Sequence, residues 1–187
     1  MDFNLSKEHV MSQKAFRDFC RKEMAPLIEE GEETGKFPLD LFPKMGDLGY
    51  LGASFPEEYG GMGADKITEC LLIDEVHQVS AGIGGALLVQ LGLGTYPILK
   101  YGSEEQKKQY LEPAILGEKI ASFSLTEPDA GSDAAAIQAT AVRDGDSYIL
   151  NGSKTFITNC PICDYTIFVG YTDPNQRGKG INLFIVD

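Results

Sequence analysis

The sequence predicts an α+β fold: an N-terminal all-α helical domain over residues 1–118, then an antiparallel β domain over 119–187 that forms a partial barrel or sandwich. Three observations predict it. Apolar residues recur at three- and four-residue spacing as far as Leu116, alternation takes over after Gly117, and Asp144-Gly145 and Asn151-Gly152 mark tight hairpins in the second part.

Ser6 is placed to cap a first helix, with Glu8 at the favourable end of its dipole. Phe16, Phe19, Cys20, Met24, Leu27 and Ile28 make one buried face, and Pro26 either interrupts this helix or starts another. The run Glu29-Glu30-Gly31-Glu32-Glu33 reads as a solvated helix end. A short helix over 38–48, closed by Gly49, turns Leu41, Phe42, Met45 and Leu48 inward, and the turn formers of 55–63 make a loop. Asp65 opens a helix whose Ile67, Leu71, Leu72 and Val76 face the core, leaving Glu69, Asp74 and Glu75 to solvent. A further helix over 83–101 has Gly82, Gly84, Gly85, Gly92 and Gly94 in or beside it, each costing about 1 kcal/mol relative to alanine. Two readings account for that cost: tight helix–helix contact, or a face kept bare to admit an apolar chain of a ligand. Ser103 and Gln106 form a capping box for a helix that ends near 113–117.

Strands are expected at 120–126, 137–143, 148–150, 154–158, 165–171 and 181–186, with a polar hairpin tip at 173–180. The last strand has no evident partner or closing element, the pattern of a chain that continues.

With 187 residues, 43% hydrophobic and 24% charged, the composition is that of a folded globular protein. A net charge of −12 argues against a nucleic-acid partner, since phosphate binding needs clustered Lys and Arg. The N-terminus Met1-Asp2-Phe3-Asn4 has no basic leader, no segment reads as long enough to cross a membrane, and Cys20, Cys70, Cys160 and Cys163 are too few and uneven for a disulfide scaffold, so a cytoplasmic protein with no membrane partner is expected. Cys160-Pro161-Ile162-Cys163 has metal and dithiol spacing, but there is no second pair for zinc, and a strand rather than a helix follows. No metal is expected there. His9 and His77 sit on helices far before it.

The chemistry concentrates in two stretches. Phe123-Ser124-Leu125-Thr126-Glu127-Pro128-Asp129-Ala130-Gly131-Ser132-Asp133 is a strand that ends in a loop of small residues, suited either to a plain connection or to backbone contact with an anion or a flat ligand. Asn151-Gly152-Ser153-Lys154-Thr155-Phe156-Ile157-Thr158-Asn159 follows one hairpin later. In this order the two resemble the signature of the acyl-CoA dehydrogenase flavoproteins. Phe156 stands where many members carry Trp, and the chain has none.

The resemblance covers the front part of a family protein and implies FAD as cofactor. It implies that Phe123, Leu125 and Thr126 line the flavin ring, with Thr126 bonding its polar edge. By the same likeness Gly131 and Ser132 lie at the FAD pyrophosphate, Ser132 also beside the acyl-CoA thioester, while Phe156 and Ile157 pack on the flavin and the Thr158 hydroxyl approaches N5. The implied activity is α,β-desaturation of an acyl-CoA in fatty acid metabolism, with electrons passed to an electron-transferring flavoprotein and a homotetramer as the assembly. The implied catalytic base lies outside this chain, whose own Glu127 and Asp133 read as loop anchors. Related oxidases, flavin-dependent hydroxylases and enoyl-CoA reductases share these motifs, and a non-catalytic flavin or acyl-CoA binding module is the reading from another class.

Overall fold

The computed structural model describes residues 4–187; Met1–Phe3, part of the N-terminus read above as carrying no leader, lie outside them. The chain divides into two compact units, Met1–Lys119 and Ile120–Asp187.

The first unit is helical. Ser6 caps α1 (Lys7–Phe19), and the capping box is completed by His9, whose ring accepts from the Ser6 N–H. Pro26 does not break the chain's helical course. The backbone runs on through a π segment (Cys20–Met24) and a 3-10 turn (Ala25–Leu27) into α2 (Ile28–Thr34), the wider turn preceding the residue that lacks an N–H. Phe16 and Phe19 meet Tyr50 edge-on, at ring-centroid distances of 4.9 and 5.5 Å. Within α3 (Leu41–Asp47) Leu41, Phe42 and Met45 are buried, but Leu48, just past its end, faces solvent.

α4 (Lys66–Val79) is capped by Asp65, which accepts from Thr68 N. It packs on α1 and on α5 (Ala81–Leu88). Its buried face is rotated from the expected one: Thr68, Leu72, Glu75 and Val76 lie inside and Ile67 outside. Glu75 is enclosed because Arg17 and Gln13 of α1 supply its hydrogen bonds, at 2.6–3.0 Å for Arg17 and 2.9 Å for Gln13. From α5 the helix widens through a π segment (Val89–Leu93) and leads on to α6 (Tyr96–Tyr101). Contrary to the sequence expectation, Ala81–Tyr101 has the length and apolarity of a membrane-crossing helix; 56% of its apolar window is buried within the protein, as in a core helix. Gln90, 1% exposed, bonds through its side chain to the carbonyls of Ala114 and Lys119, and so pins this helix to the end of the unit behind α7 (Glu104–Gln106) and α8 (Glu112–Ile115).

The glycines of this stretch are not alike: of Gly82, Gly84, Gly85 and Gly92, Gly84 alone shows the tight contact. A Cβ on Gly84 would come within 2.4 Å of the His77 ring, whereas one on Gly85 meets nothing within 4 Å. Gly84→Ala is therefore expected to lower stability by about 1–3 kcal/mol through overpacking, and Gly85→Ala to raise it by about 0.5–1 kcal/mol. Thermal unfolding of the two variants side by side checks this, and a shift of the same sign in both would refute it.

The second unit is a five-stranded mixed sheet: β1 (Ala121–Ser124), β2 (Thr140–Asp144), β3 (Ser147–Asn151), β4 (Tyr165–Tyr171) and β5 (Ile181–Val186). It is not purely antiparallel. β1 pairs parallel with β4, from Ala121↔Tyr165 to Ser124↔Phe168, and β2 meets the far end of β4 in parallel at Thr140↔Tyr171. The long connection that carries the β2–β3 hairpin permits this crossover. In that hairpin Asp144 faces Ser147, so the turn residues are Gly145 and Asp146, with Gly145 at φ 60. β5 does have a partner, pairing antiparallel with β4 from Tyr171↔Ile181 to Thr166↔Val186. Ala130, Ile137, Val169 and Tyr171 form a core against which Phe123, Leu125 and Ile181 pack.

Candidate functional site

The site is built where β1 stops. After Ser124 the chain leaves the sheet, and Glu127 and Ala130 exchange backbone hydrogen bonds of 2.8 and 3.2 Å, closing a tight loop over Pro128 and Asp129. Asp133 accepts from Ala135 N and caps a 3-10 turn (Ala134–Ala136). Gly131 and Ser132, between these two fixed points, are exposed. A Cβ on Gly131 would touch only Thr126 Cγ2, at 4.0 Å, and Gly131 is not among the positive-φ glycines. Nothing in the chain itself demands glycine there, and the bare backbone is one that a ligand could approach closely.

No strand forms over 154–158, and Asn151-Gly152 does not turn a hairpin. Instead the chain lies as a strap antiparallel to β1 and its continuation. Thr155 N bonds to Thr126 O at 2.9 Å, the Asn159 side chain bonds to Ala121 O at 3.0 Å, and Asp164 N bonds to Ile120 O at 2.8 Å. Phe156 and Asn159 have positive φ, 56 and 67, which breaks any regular ladder. For a bulky residue such a conformation costs about 1–3 kcal/mol and persists only where the surroundings enforce it. The result is a Phe156 side chain that is 92% exposed.

The enforcing group before Phe156 is Lys154. Its Nζ donates to Leu125 O at 2.9 Å and to Glu127 Oε1 at 2.8 Å, and it sits over the Phe168 ring at 5.1 Å. Glu127 also accepts from Gln138 N and Ala139 N, at 2.6 and 2.9 Å. Burial by itself would raise the Glu127 pKa, but the Lys154 ammonium and the two backbone N–H groups outweigh it and hold the carboxyl below its ordinary range. Glu127 is thus an ionised anchor of the loop.

Thr126 is the junction of the assembly, next to Gly131 on one side and bonded to Thr155 on the other. Its carbonyl and that of Leu125 are taken by the strap. What Thr126 has left to offer a ligand is its hydroxyl and N–H. Phe156, Ile157 and Thr158 follow Thr155 directly, and Ser132 follows Gly131, while Phe123 and Leu125 are half-buried in the core below. An exposed ring, threonine hydroxyls and an open Gly-Ser backbone suit a flat, partly apolar ligand with an anionic part. Sequence reasoning gave Lys154 and Asn159 no role; a lysine inside an otherwise uncharged stretch was the available signal. Cys160 and Cys163, beyond the strap, are free thiols, with Cys163 Sγ 3.5 Å from Cys160 O.

Residues 6–118 match the acyl-CoA dehydrogenase N-terminal domain, and residues 122–187 match the acyl-CoA dehydrogenase middle domain. An acyl-CoA dehydrogenase of Bacillus subtilis is 45% identical over 98% of this chain and 48% of its own length. The structure of an electron transferring flavoprotein study from Acidaminococcus fermentans superposes with a TM-score of 0.94 at 43% identity, covering all of this chain and 49% of that one. A glutaryl-coenzyme A dehydrogenase in complex with glutaryl-CoA superposes with a TM-score of 0.95 at 38% identity, covering all of this chain and 48% of that one. The chain spans about half the length of the curated relatives it matches. With both of its units matched in order, the chain belongs to the acyl-CoA dehydrogenase family.

Proposed function

We propose that the chain supplies the front part of an FAD-dependent acyl-CoA dehydrogenase that desaturates an acyl-CoA thioester between its α and β carbons. The observation that carries this reading is the strap and loop around Thr126, an exposed aromatic ring and an uncovered glycine backbone with no partner demanded by the fold itself. The residues fit the flavin that the family uses. When bound, FAD supplies the two-electron acceptor for the substrate's β hydride. Phe156 and Ile157 give the ring an apolar face, Thr126 and Thr158 offer hydroxyls to its polar edge, and Gly131 and Ser132 leave backbone N–H groups open to a pyrophosphate and to the neighbouring thioester. An electron-transferring flavoprotein is the proposed acceptor, supported by the A. fermentans likeness. The absorption spectrum of the purified natural protein tests the reading; a colourless protein that gains no flavin spectrum on incubation with FAD sinks it.

Thr158→Val is expected to weaken FAD binding by the worth of one hydrogen bond, about 0.5–1.5 kcal/mol, and to shift the bound flavin's potential. Thr158 is exposed, so the unfolding temperature should stay close to that of the parent protein. Unchanged affinity and potential would remove Thr158 from the site.

Substrate charge is set by what the helices of the first unit lack. No Lys or Arg occurs anywhere over 76–99. A distal carboxylate brought into an apolar pocket without a cation is costly, so the proposed substrate has an uncharged acyl chain. Relative kcat/KM for butyryl-CoA and glutaryl-CoA decides it, and preference for glutaryl-CoA would contradict the assignment.

A further inference from the structure

Two stretches that lie far apart in sequence form one surface, and a single buried side chain fixes their spacing. Lys154 Nζ reaches Leu125 O and Glu127 Oε1, while Glu127 holds the backbone entering β2 through Gln138 N and Ala139 N. Both side chains are nearly enclosed, at 8% and 7% exposure. A buried ion pair is often no more stabilising than a well-packed apolar pair of the same size. What it provides here is registration: one point charge of fixed reach ties the end of β1, the start of β2 and the strap together. Across the strap the other anchors are the Thr155 N–H and the Asn159 side chain, and between them Phe156 sits in a conformation that a bulky residue does not adopt unaided.

We propose that Lys154, seated by Glu127, is a positioning residue of the flavin site, setting the position and angle at which the strap presents Phe156 and Thr158. The assignment rests on the flavin reading above. It separates the residues that touch the cofactor from the pair that aims them.

The test is amide hydrogen exchange together with FAD titration, on the full natural protein carrying Lys154→Met. Loss of the clamp is expected to speed exchange of the strap amides around Thr155 to Thr158 by about tenfold or more while the β4–β5 ladder changes little, since opening is local. FAD should bind roughly tenfold more weakly. A residue that served stability alone would instead raise exchange across the whole β unit, and that pattern overturns the proposal. Lys154→Arg is the second variant. It keeps the buried charge, so the fold is retained, but a planar fork cannot occupy the same point between Leu125 O and Glu127. Faster strap exchange and weaker FAD binding in a folded Lys154→Arg protein support the clamp even if the Met variant fails to fold; native values for both overturn it. A parent protein that takes up no FAD defeats the flavin reading alone, because strap exchange still tests the clamp.

Discussion

Arg17→Met is expected to destabilise the helical unit markedly at neutral pH and to make little difference in acid. Arg17 donates through two nitrogens to Glu75, whose side chain is only 2% exposed, and Gln13 adds one further donor. Removing the guanidinium leaves a carboxylate enclosed between α1 and α4 with most of its partners gone, at a cost of about 1–3 kcal/mol. A fully enclosed pair would lose more, but the guanidinium side is 40% exposed and water relieves part of the loss. The pH dependence follows from the direction of the shift. Hydrogen bonding from Arg17 leads the effects that hold the Glu75 carboxyl below its ordinary range, against burial, which raises it. A depressed carboxyl contributes stability that is fully present above the unfolded pKa, about 4.3, and is lost as pH falls through the folded value. In the variant the leading cause of that depression is gone. Denaturant unfolding of both proteins should therefore show a gap that is wide near neutrality and closes below about pH 4. A gap that is absent near neutrality, or that persists unchanged in acid, would show that Glu75 does not depend on Arg17.

The same pair shows where sequence reading reaches its limit. Local devices were legible because their partners lie within a turn: Ser6, Asp65 and Ser103 all cap the helices they appeared to cap. Glu75 appeared solvated because its partner lies 58 residues away, and periodicity carries no information about such a distance. The π segments Cys20–Met24 and Val89–Leu93 were equally invisible, since each widens the helix without changing which residue types are apolar. In the β unit the strand pattern identified β4 and β5, but the direction of the β1–β4 pairing depends on the path of the connection. The strap was read as a strand because Thr155, Phe156 and Ile157 have strand propensity. Tertiary anchoring overrode it. Phe156, which favours extended backbone by type, is held near the left-handed region between Lys154 and Asn159, and that departure occurs where the candidate site lies.

The 187-residue chain by itself is expected to show no acyl-CoA turnover above background, even when supplied with FAD. Desaturation requires a carboxylate that takes the α proton within a water-poor site, and a base so placed contributes about 10²–10⁴-fold. Four carboxylates of the described residues are committed elsewhere. Glu127 accepts from Lys154, Gln138 N and Ala139 N, and Glu75 accepts from Arg17 and Gln13. Glu69 is held by Lys66 and Ser54, and Glu104 by Lys107 and Tyr59. The donors around Glu127, Glu75 and Glu104 favour the ionised form, the opposite of the environment that makes a strong base near neutrality. Asp129 and Asp133 are exposed to solvent, outside any water-poor site. The comparison that checks this is a dye-reduction assay on the chain beside the B. subtilis relative, of which the chain matches 48%. Turnover within about tenfold of the relative's would mean that a carboxylate assigned here to a structural contact performs the proton abstraction, and Glu127→Gln and Glu75→Gln would then identify which.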